Sequence, residues 1–137
     1  MTEVTSSLLL LVEDEDMIRH VVVDALQSGG YGVVESASGK NAMALLDEDA
    51  SRFRAIITDI RLGAQPDGWK VARHARELNP AIAVVYITGD SAHEWSSQGV
   101  PNSLLVAKPF AAAQLVTAVS QLLVAADSQP APEAPPQ

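Results

Sequence analysis

The chain is predicted to be an α/β domain built on a parallel sheet, and three observations carry that prediction. Apolar runs of four to six residues alternate with segments of helical periodicity, as expected for strands covered on both faces by crossover helices. At 137 residues the chain is long enough to bury one such core. Polar residues able to do chemistry follow directly after the apolar runs, which is where an open α/β sheet places its ligands.

The elements follow in order. Leu8 to Val12 is the first apolar run, and Asp16 to Ser28 then carries Ile18, Val22, Ala25 and Leu26 at helical spacing before Gly29-Gly30 ends it. Gly32 to Ser36 is the second run and Gly39 to Glu48 the second helix. Ala55 to Thr58 is the third run, and the third helix, Gly68 to Leu78, has Asp67 as its N-cap and Pro80 beyond its end. Ala83 to Thr88 and Leu104 to Ala107 are the last two runs. Between them, Ser91 to Pro101 is a weaker helix, with three serines, Gly99 and Pro101. Ala111 to Ala126 is a strong helix with Leu115, Ala118, Val119, Leu122 and Ala126 on one face. Val116, Leu123 and Val124 make a second apolar set, which reads equally as a partner-covered surface or as ordinary exposed aliphatics. Residues 1–6 are expected to be an N-terminal extension and 7–126 the domain, while 127–137, with four prolines in eleven residues, is expected to be a disordered tail.

Composition excludes several function classes. The net charge of -8 and the scatter of nine basic residues leave no patch to anchor a nucleic-acid backbone. With no cysteine there is no disulfide framework, thiolate nucleophile or cysteine-based zinc site. No basic segment precedes an apolar one at the N-terminus and no stretch is long enough to span a membrane, so a soluble, cytoplasmic protein is expected.

The residues at the strand ends form one constellation. Glu13-Asp14 follows the first strand, Asp59 closes Ala55-Ile56-Ile57-Thr58-Asp59, Thr88-Gly89-Asp90 ends the fourth, and Lys108-Pro109-Phe110 follows the fifth. Neighbouring carboxylates repel unless they share protons or hold a hard cation. Glu13, Asp14 and Asp59, with a backbone carbonyl and water, suit octahedral Mg²⁺. Such a site favours phosphoryl transfer to Asp59, with Lys108 as a positive charge for one phosphoryl oxygen, Thr88 as a hydroxyl donor to another, and Gly89 leaving room for the group. A cis Lys108-Pro109 bond is expected to turn the chain there and aim the lysine inward.

Together Leu-Leu-Leu-Val-Glu13-Asp14-Glu-Asp-Met-Ile-Arg19, Ile-Ile-Thr-Asp59-Ile-Arg-Leu, Asp67-Gly68, Tyr-Ile-Thr88-Gly89 and Ala-Lys108-Pro109-Phe110 resemble the receiver domain of bacterial two-component response regulators over roughly residues 7–125. The resemblance implies a flavodoxin-like (βα)5 fold, a doubly wound five-stranded sheet of order 2-1-3-4-5. It also implies that Asp59 is phosphorylated by a histidine kinase or histidine phosphotransfer protein. Asp14 and Asp59 then bind Mg²⁺ directly, Glu13 binds through water, and the Arg61 carbonyl completes the site. By the same resemblance Arg61 and Asp90 flank the path of water to the acyl phosphate, and the first helix near Met17, Ile18 and Val21 docks the kinase.

Three features depart from the family pattern. The loop Leu62-Gly63-Ala64-Gln65-Pro66-Asp67-Gly68 is one residue longer than usual and lacks the early proline. Leu105 stands where an inward-turning aromatic is usual, three before Lys108. The fourth helix region is short and broken by Gly99-Val100-Pro101 while carrying His93 and Trp95.

The expected function is that of a single-domain phosphoacceptor switch, shuttle or sink acting through a downstream protein partner, and whether phosphorylation drives homodimerisation stays open. One alternative is an adaptor that keeps the fold without phosphorylation. Another is an aspartate-based Mg²⁺ phosphatase using Asp14-Glu15-Asp16, disfavoured because no carboxylate lies between Lys108 and Ala126. His20, His74 and His93 show no metal spacing and no acidic partner in the sequence. Trp69 and Trp95 read as packing or contact residues, with Trp95 the better candidate for a contact.

Overall fold

The structure is a computed structural model that describes residues 7–128. The expected N-terminal extension and all but the first two residues of the expected tail lie outside the described residues. Five parallel strands, β1 (Leu8–Val12), β2 (Gly32–Ser36), β3 (Ala55–Asp59), β4 (Ala83–Thr88) and β5 (Ser103–Ala107), form one sheet in the order β2-β1-β3-β4-β5. This is the flavodoxin-like doubly wound topology. Its helices are α1 (Asp16–Ser28), α2 (Gly39–Asp49), α3 (Gly68–Leu78), α4 (Trp95–Gln98) and α5 (Ala112–Ser128).

Alternation along the strands divides the core in two. Leu9 and Leu11 point toward α1 and α5, where they pack with Val22, Leu26, Leu115 and Val119. Leu10 and Val12 point the other way, into a layer with Leu46, Phe53, Trp69, Val71 and Tyr86 under α2 and α3. Because both faces are covered, β1 reads as an unbroken apolar run and β3 as one up to Ile57, and each fully buried aliphatic side chain contributes about 1.5–3 kcal/mol. The register Leu9↔Ala55 to Val12↔Thr58 brings the carboxyl ends of β1 and β3 to one level, which places Glu13 and Asp59 side by side.

Local chemistry fixes the helix starts nearest that edge. The Asp67 carboxylate accepts from the Lys70 N–H at 3.0 Å and caps α3. A Cβ at Gly68 would lie 2.1 Å from the Asp59 carbonyl oxygen, so only glycine lets α3 begin directly against the end of β3. Ser38 caps α2 by accepting from the Asn41 N–H. The longer loop before α3 contains a cis Gln65-Pro66 bond and Gly63 at φ 78°, and a Cβ on Gly39 would meet the Pro66 carbonyl oxygen. The loop is thus laid against the start of α2.

Several expected boundaries shift. β3 runs one residue further to include Asp59, β5 begins at Ser103, and α2 ends at Asp49. α5 is Ala112–Ser128 rather than 111–126, so Asp127 and Ser128 belong to the helix and not to the tail. Leu123, expected on the second apolar face, is buried in the core, whereas Ala126, expected on the inner face, is exposed.

The segment expected to be one weak helix is a 3-10 turn (Ala92–Glu94) followed by the single turn of α4. Side chains from elsewhere secure it. The Tyr86 hydroxyl accepts from the Val100 N–H at 3.1 Å, and the Trp95 indole N–H donates to Ser103 Oγ at 3.0 Å. Arg73 donates to the Gln98 carbonyl and side chain, and Arg76 to the Pro101 carbonyl.

Candidate functional site

The first part of the site is a trio of carboxylates. One oxygen each from Glu13, Asp14 and Asp59 lies within 4.8 Å of the others, with Glu13 and Asp59 buried and Asp14 exposed. Glu13 Oε2 accepts from the Glu15 N–H at 3.1 Å, while Oε1 is buried with no hydrogen-bond partner. Burial pushes the Glu13 carboxyl up to about 8; the Glu15 N–H opposes this and the Asp59 charge adds to it. Three close acids, one with a buried oxygen that accepts no hydrogen bond, have the chemistry that suits a hard oxygen-binding dication such as Mg²⁺.

The second part is a cation at the same point. Lys108 Nζ donates to Asp59 Oδ2 at 2.8 Å and lies 3.8 Å from Glu13 Oε1 and 4.0 Å from Glu15 Oε1. Burial acts to lower the lysine's pKa. The hydrogen bond and charge of Asp59, followed by the charges of Glu13 and Glu15, outweigh that effect and hold Lys108 above its ordinary value. The Lys108-Pro109 bond is cis, and the Lys108 N–H extends the ladder by donating to the Thr88 carbonyl at 2.7 Å.

Thr88 and Gly89 complete the floor. Thr88 Oγ1 accepts from the Asp90 N–H at 3.2 Å and the Ser91 N–H at 2.7 Å. Both acceptor positions of the hydroxyl are therefore occupied, which leaves its proton to donate. A Cβ at Gly89 would meet nothing within 4 Å, so open space lies beside it. Asp14, Asp59, Arg61, Thr88, Gly89, Asp90 and Lys108 all line one cavity of about 510 Å³. At its mouth Arg61 Nε donates to Asp90 Oδ1 at 2.9 Å, and the hydrogen bonds from Arg61 and then Ser91 hold the Asp90 carboxyl below its ordinary value.

Other expected residues fall elsewhere. Leu105 is half-buried beside the core, paired in register with Tyr86 of β4 and away from the acidic cluster. Pro109 lines a second, mostly apolar cavity of about 670 Å³ with Met17, Ile18, Val21 and Phe110. Met17 and Val21 are 83% and 57% exposed there. Trp69 is a packing residue, its ring 4.7 Å from that of Tyr86. His74 does have an acidic partner, contrary to expectation, because α3 packs on α2 and brings its Nε2 within 2.6 Å of Asp47 Oδ1.

Sequence reasoning missed Glu15 as a neighbour of Lys108, and it gave Arg19 no role. The Asp16-Arg19 spacing was a legible helical i,i+3 pair. The approach of Lys108 to Glu15 crosses two strand ends and leaves no local signal. Asp16 pairs with Arg19 at 2.6 Å, and the acids that gather among the described residues are Glu13, Asp14 and Asp59 rather than Asp14, Glu15 and Asp16.

A five-stranded sheet of this order, with an acid trio and a lysine meeting at the carboxyl ends of β1, β3 and β5, defines a receiver-type domain. The sequence pattern of the response regulator receiver domain matches residues 9–120, and the chain belongs to that family, whose members serve two-component signalling. The crystal structure of a response regulator receiver protein from Sinorhizobium medicae WSM419 superposes with a TM-score of 0.86 at 43% identity, covering 90% of this chain and 99% of that one. The response regulator receiver protein CpdR of Brucella abortus (strain 2308) is 32% identical over 120 residues, covering 86% of this chain and 98% of CpdR. The sensor kinase CckA of the same organism is 34% identical over 121 residues, and there this chain spans only 13% of the relative's length. Among the described residues, no helix is long and apolar enough to cross a membrane.

Proposed function

We propose that this receiver accepts a phosphoryl group on Asp59 from the phosphohistidine of a histidine kinase or histidine phosphotransfer protein. The P–N bond of the donor breaks as a P–O bond to the Asp59 carboxylate forms. The observation that carries the reading is Lys108 Nζ at 2.8 Å from Asp59 Oδ2, beside a carboxylate trio in which Glu13 Oε1 is buried and accepts no hydrogen bond. A lone strand-end aspartate would need neither the lysine nor the buried Glu13 and exposed Asp14 beside it.

Glu13, Asp14, Asp59 and the backbone carbonyl of Arg61 are the residues that would hold Mg²⁺. When bound, the ion neutralises negative charge on the transferring oxygens and on the carboxylates that face them. Lys108 then turns its ammonium from Asp59 to a phosphoryl oxygen. The Thr88 hydroxyl donates its free proton to another, while the space beside Gly89 admits the group. Arg61 and Asp90 screen the acyl phosphate from water at the mouth.

The donor docks on the surface of α1 formed by exposed Met17 and Val21 and half-buried Ile18, beside Pro109 and Phe110 and next to the phosphorylation site. The protein works in the cytoplasm as a switch, shuttle or sink, and its output passes to a protein partner through the face formed by α5, Leu105 and the α4 segment. It does not contact nucleic acid or membrane directly. Intact mass after incubation with Mg²⁺ and acetyl phosphate tests the reading. One added phosphoryl group on the wild type and none on Asp59→Asn is expected. An adduct on both would place the acceptor elsewhere; none on either, with Mg²⁺ bound, would leave phosphorylation by a histidine kinase alone or a phosphorylation-independent adaptor, which a panel of histidine kinases then separates.

A further inference from the structure

The reach of Arg19 from α1 is not explained by helix stability alone. Its guanidinium donates at three places: to the backbone carbonyl of Glu13 at 2.8 Å, to Asp16 Oδ1 at 2.6 Å, and to Glu35 Oε1 on β2 at 3.3 Å. The Arg19 side chain is only 18% exposed, so these bonds hold it in a fixed position. The Glu13 carbonyl needs such a donor. The Glu13 N–H still donates to the Ser36 carbonyl of β2 at 3.0 Å, but the Glu13 carbonyl lies past the last register pair, Val12 and Ser36, and takes its hydrogen bond from Arg19 and not from a strand N–H. A carbonyl at a strand end that faces protein must find another partner.

This carbonyl belongs to the peptide joining Glu13 to Asp14. Fixing its oxygen fixes the plane of that peptide, and with it the direction in which the exposed Asp14 carboxylate leaves the chain. Asp16 and Glu35 hold the guanidinium from α1 and β2, so the orientation is referred to two elements of the fold. A planar fork meets such separated acceptors at once, which a single ammonium does not.

We propose that Arg19 is a positioning residue for the acidic loop: by holding the Glu13 carbonyl it sets the placement of Asp14 and hence the affinity of the site for Mg²⁺. This rests on the reading of Glu13, Asp14 and Asp59 as the metal site and adds to it a residue that touches neither metal nor phosphoryl group.

The test uses the full chain as wild type, Arg19→Gln, Arg19→Lys and Glu35→Gln. Calorimetric titration with MgCl2 gives the dissociation constant. The initial rate of phosphorylation by acetyl phosphate across Mg²⁺ concentrations separates half-saturation from maximal rate, and melting in EDTA reports the fold. Groups that orient metal ligands typically change metal affinity by about 10- to 100-fold. Both Arg19 variants are expected to weaken Mg²⁺ binding by about tenfold or more, with the maximal rate at saturating Mg²⁺ kept. Glu35→Gln, which leaves the Glu13 bond and removes one anchor charge, should weaken binding less and in the same direction, and it carries the test if the Arg19 variants melt too early to titrate. Unchanged affinity, restoration of wild-type affinity by lysine, or a loss of maximal rate without a change in half-saturation would overturn the proposal. A wild type that binds no Mg²⁺ would overturn the metal-site reading itself, and this outcome is distinct from a wild type that binds while the variants match it.

Discussion

At the scale of single residues, the site trades stability for chemistry, and Glu13 shows the trade most directly. Its carboxyl is fully buried with one oxygen that accepts no hydrogen bond, and burial raises its pKa in the folded, metal-free protein to about 8 against an ordinary 4.5. A carboxyl whose folded pKa is raised stabilises the fold below the unfolded value, and that contribution is lost as pH rises through the folded one. The metal-free protein should therefore lose stability between about pH 4.5 and pH 8 through this group. Glu13→Gln keeps the shape and removes the charge. In EDTA it is expected to melt higher than wild type, by ~1 kcal/mol or more near pH 8 and by little near pH 5, while losing Mg²⁺ affinity. Thermal melts at the two pH values check the sign, and a variant that melts lower at the higher pH would contradict it.

Arg61 and Asp90 pose a different question at the same scale. Both are well exposed, so their bond contributes little to stability. Their place across the cavity mouth matters more. Arg61→Ala is expected to leave the melting temperature within a degree or so, as for exposed surface changes, and to shorten the phosphoryl lifetime. Loss of the adduct followed by intact mass measures this, and an unchanged lifetime would remove the pair from any role in shielding.

At the scale of elements, α4 is the part of the fold that its own sequence supports least. One helical turn cannot stabilise itself, and α4 is held by Tyr86, Ser103, Arg73 and Arg76 from outside. This explains why the long elements were legible and this one was not. Leu8 to Val12 and Asp16 to Ser28 follow from apolar runs and helical spacing, and the Asp67 cap from a local residue type. The breaking of 91–101 into two short turns depends on a hydroxyl two residues before Thr88 and on a serine in β5, which no local pattern connects. The trio and the lysine were legible for the opposite reason, since parallel strands deliver their carboxyl ends to one edge. Tyr86→Phe tests the dependence. It deletes the acceptor of the buried Val100 N–H, which should cost ~1–3 kcal/mol and speed amide exchange across 92–100 more than in α1. Uniform acceleration over the whole chain would show that α4 is not a separately released element.

At the scale of the whole molecule, charge decides how the fold would respond to the proposed Mg²⁺ ion. The chain carries -8 net, and three of its acids are crowded at one edge with a single lysine among them. Folding must bring these carboxylates together against their repulsion, whereas the unfolded chain holds them apart. A ligand that binds only the folded arrangement stabilises it by mass action, about 2.7 kcal/mol at a hundred times its dissociation constant. For a domain of this size that is a rise in melting temperature on the order of 10 °C. MgCl2 is expected to produce the rise, EDTA to reverse it, and NaCl of equal ionic strength to give only a small part of it, because general screening acts on all seventeen acidic residues weakly. Asp14→Ala separates the two effects. It removes one exposed carboxylate and relieves repulsion, so its melting point in EDTA should equal or exceed that of wild type, yet Mg²⁺ should no longer raise it. If Mg²⁺ stabilises Asp14→Ala as much as wild type, the ion is acting on the diffuse charge of the surface and the crowded edge is not its site.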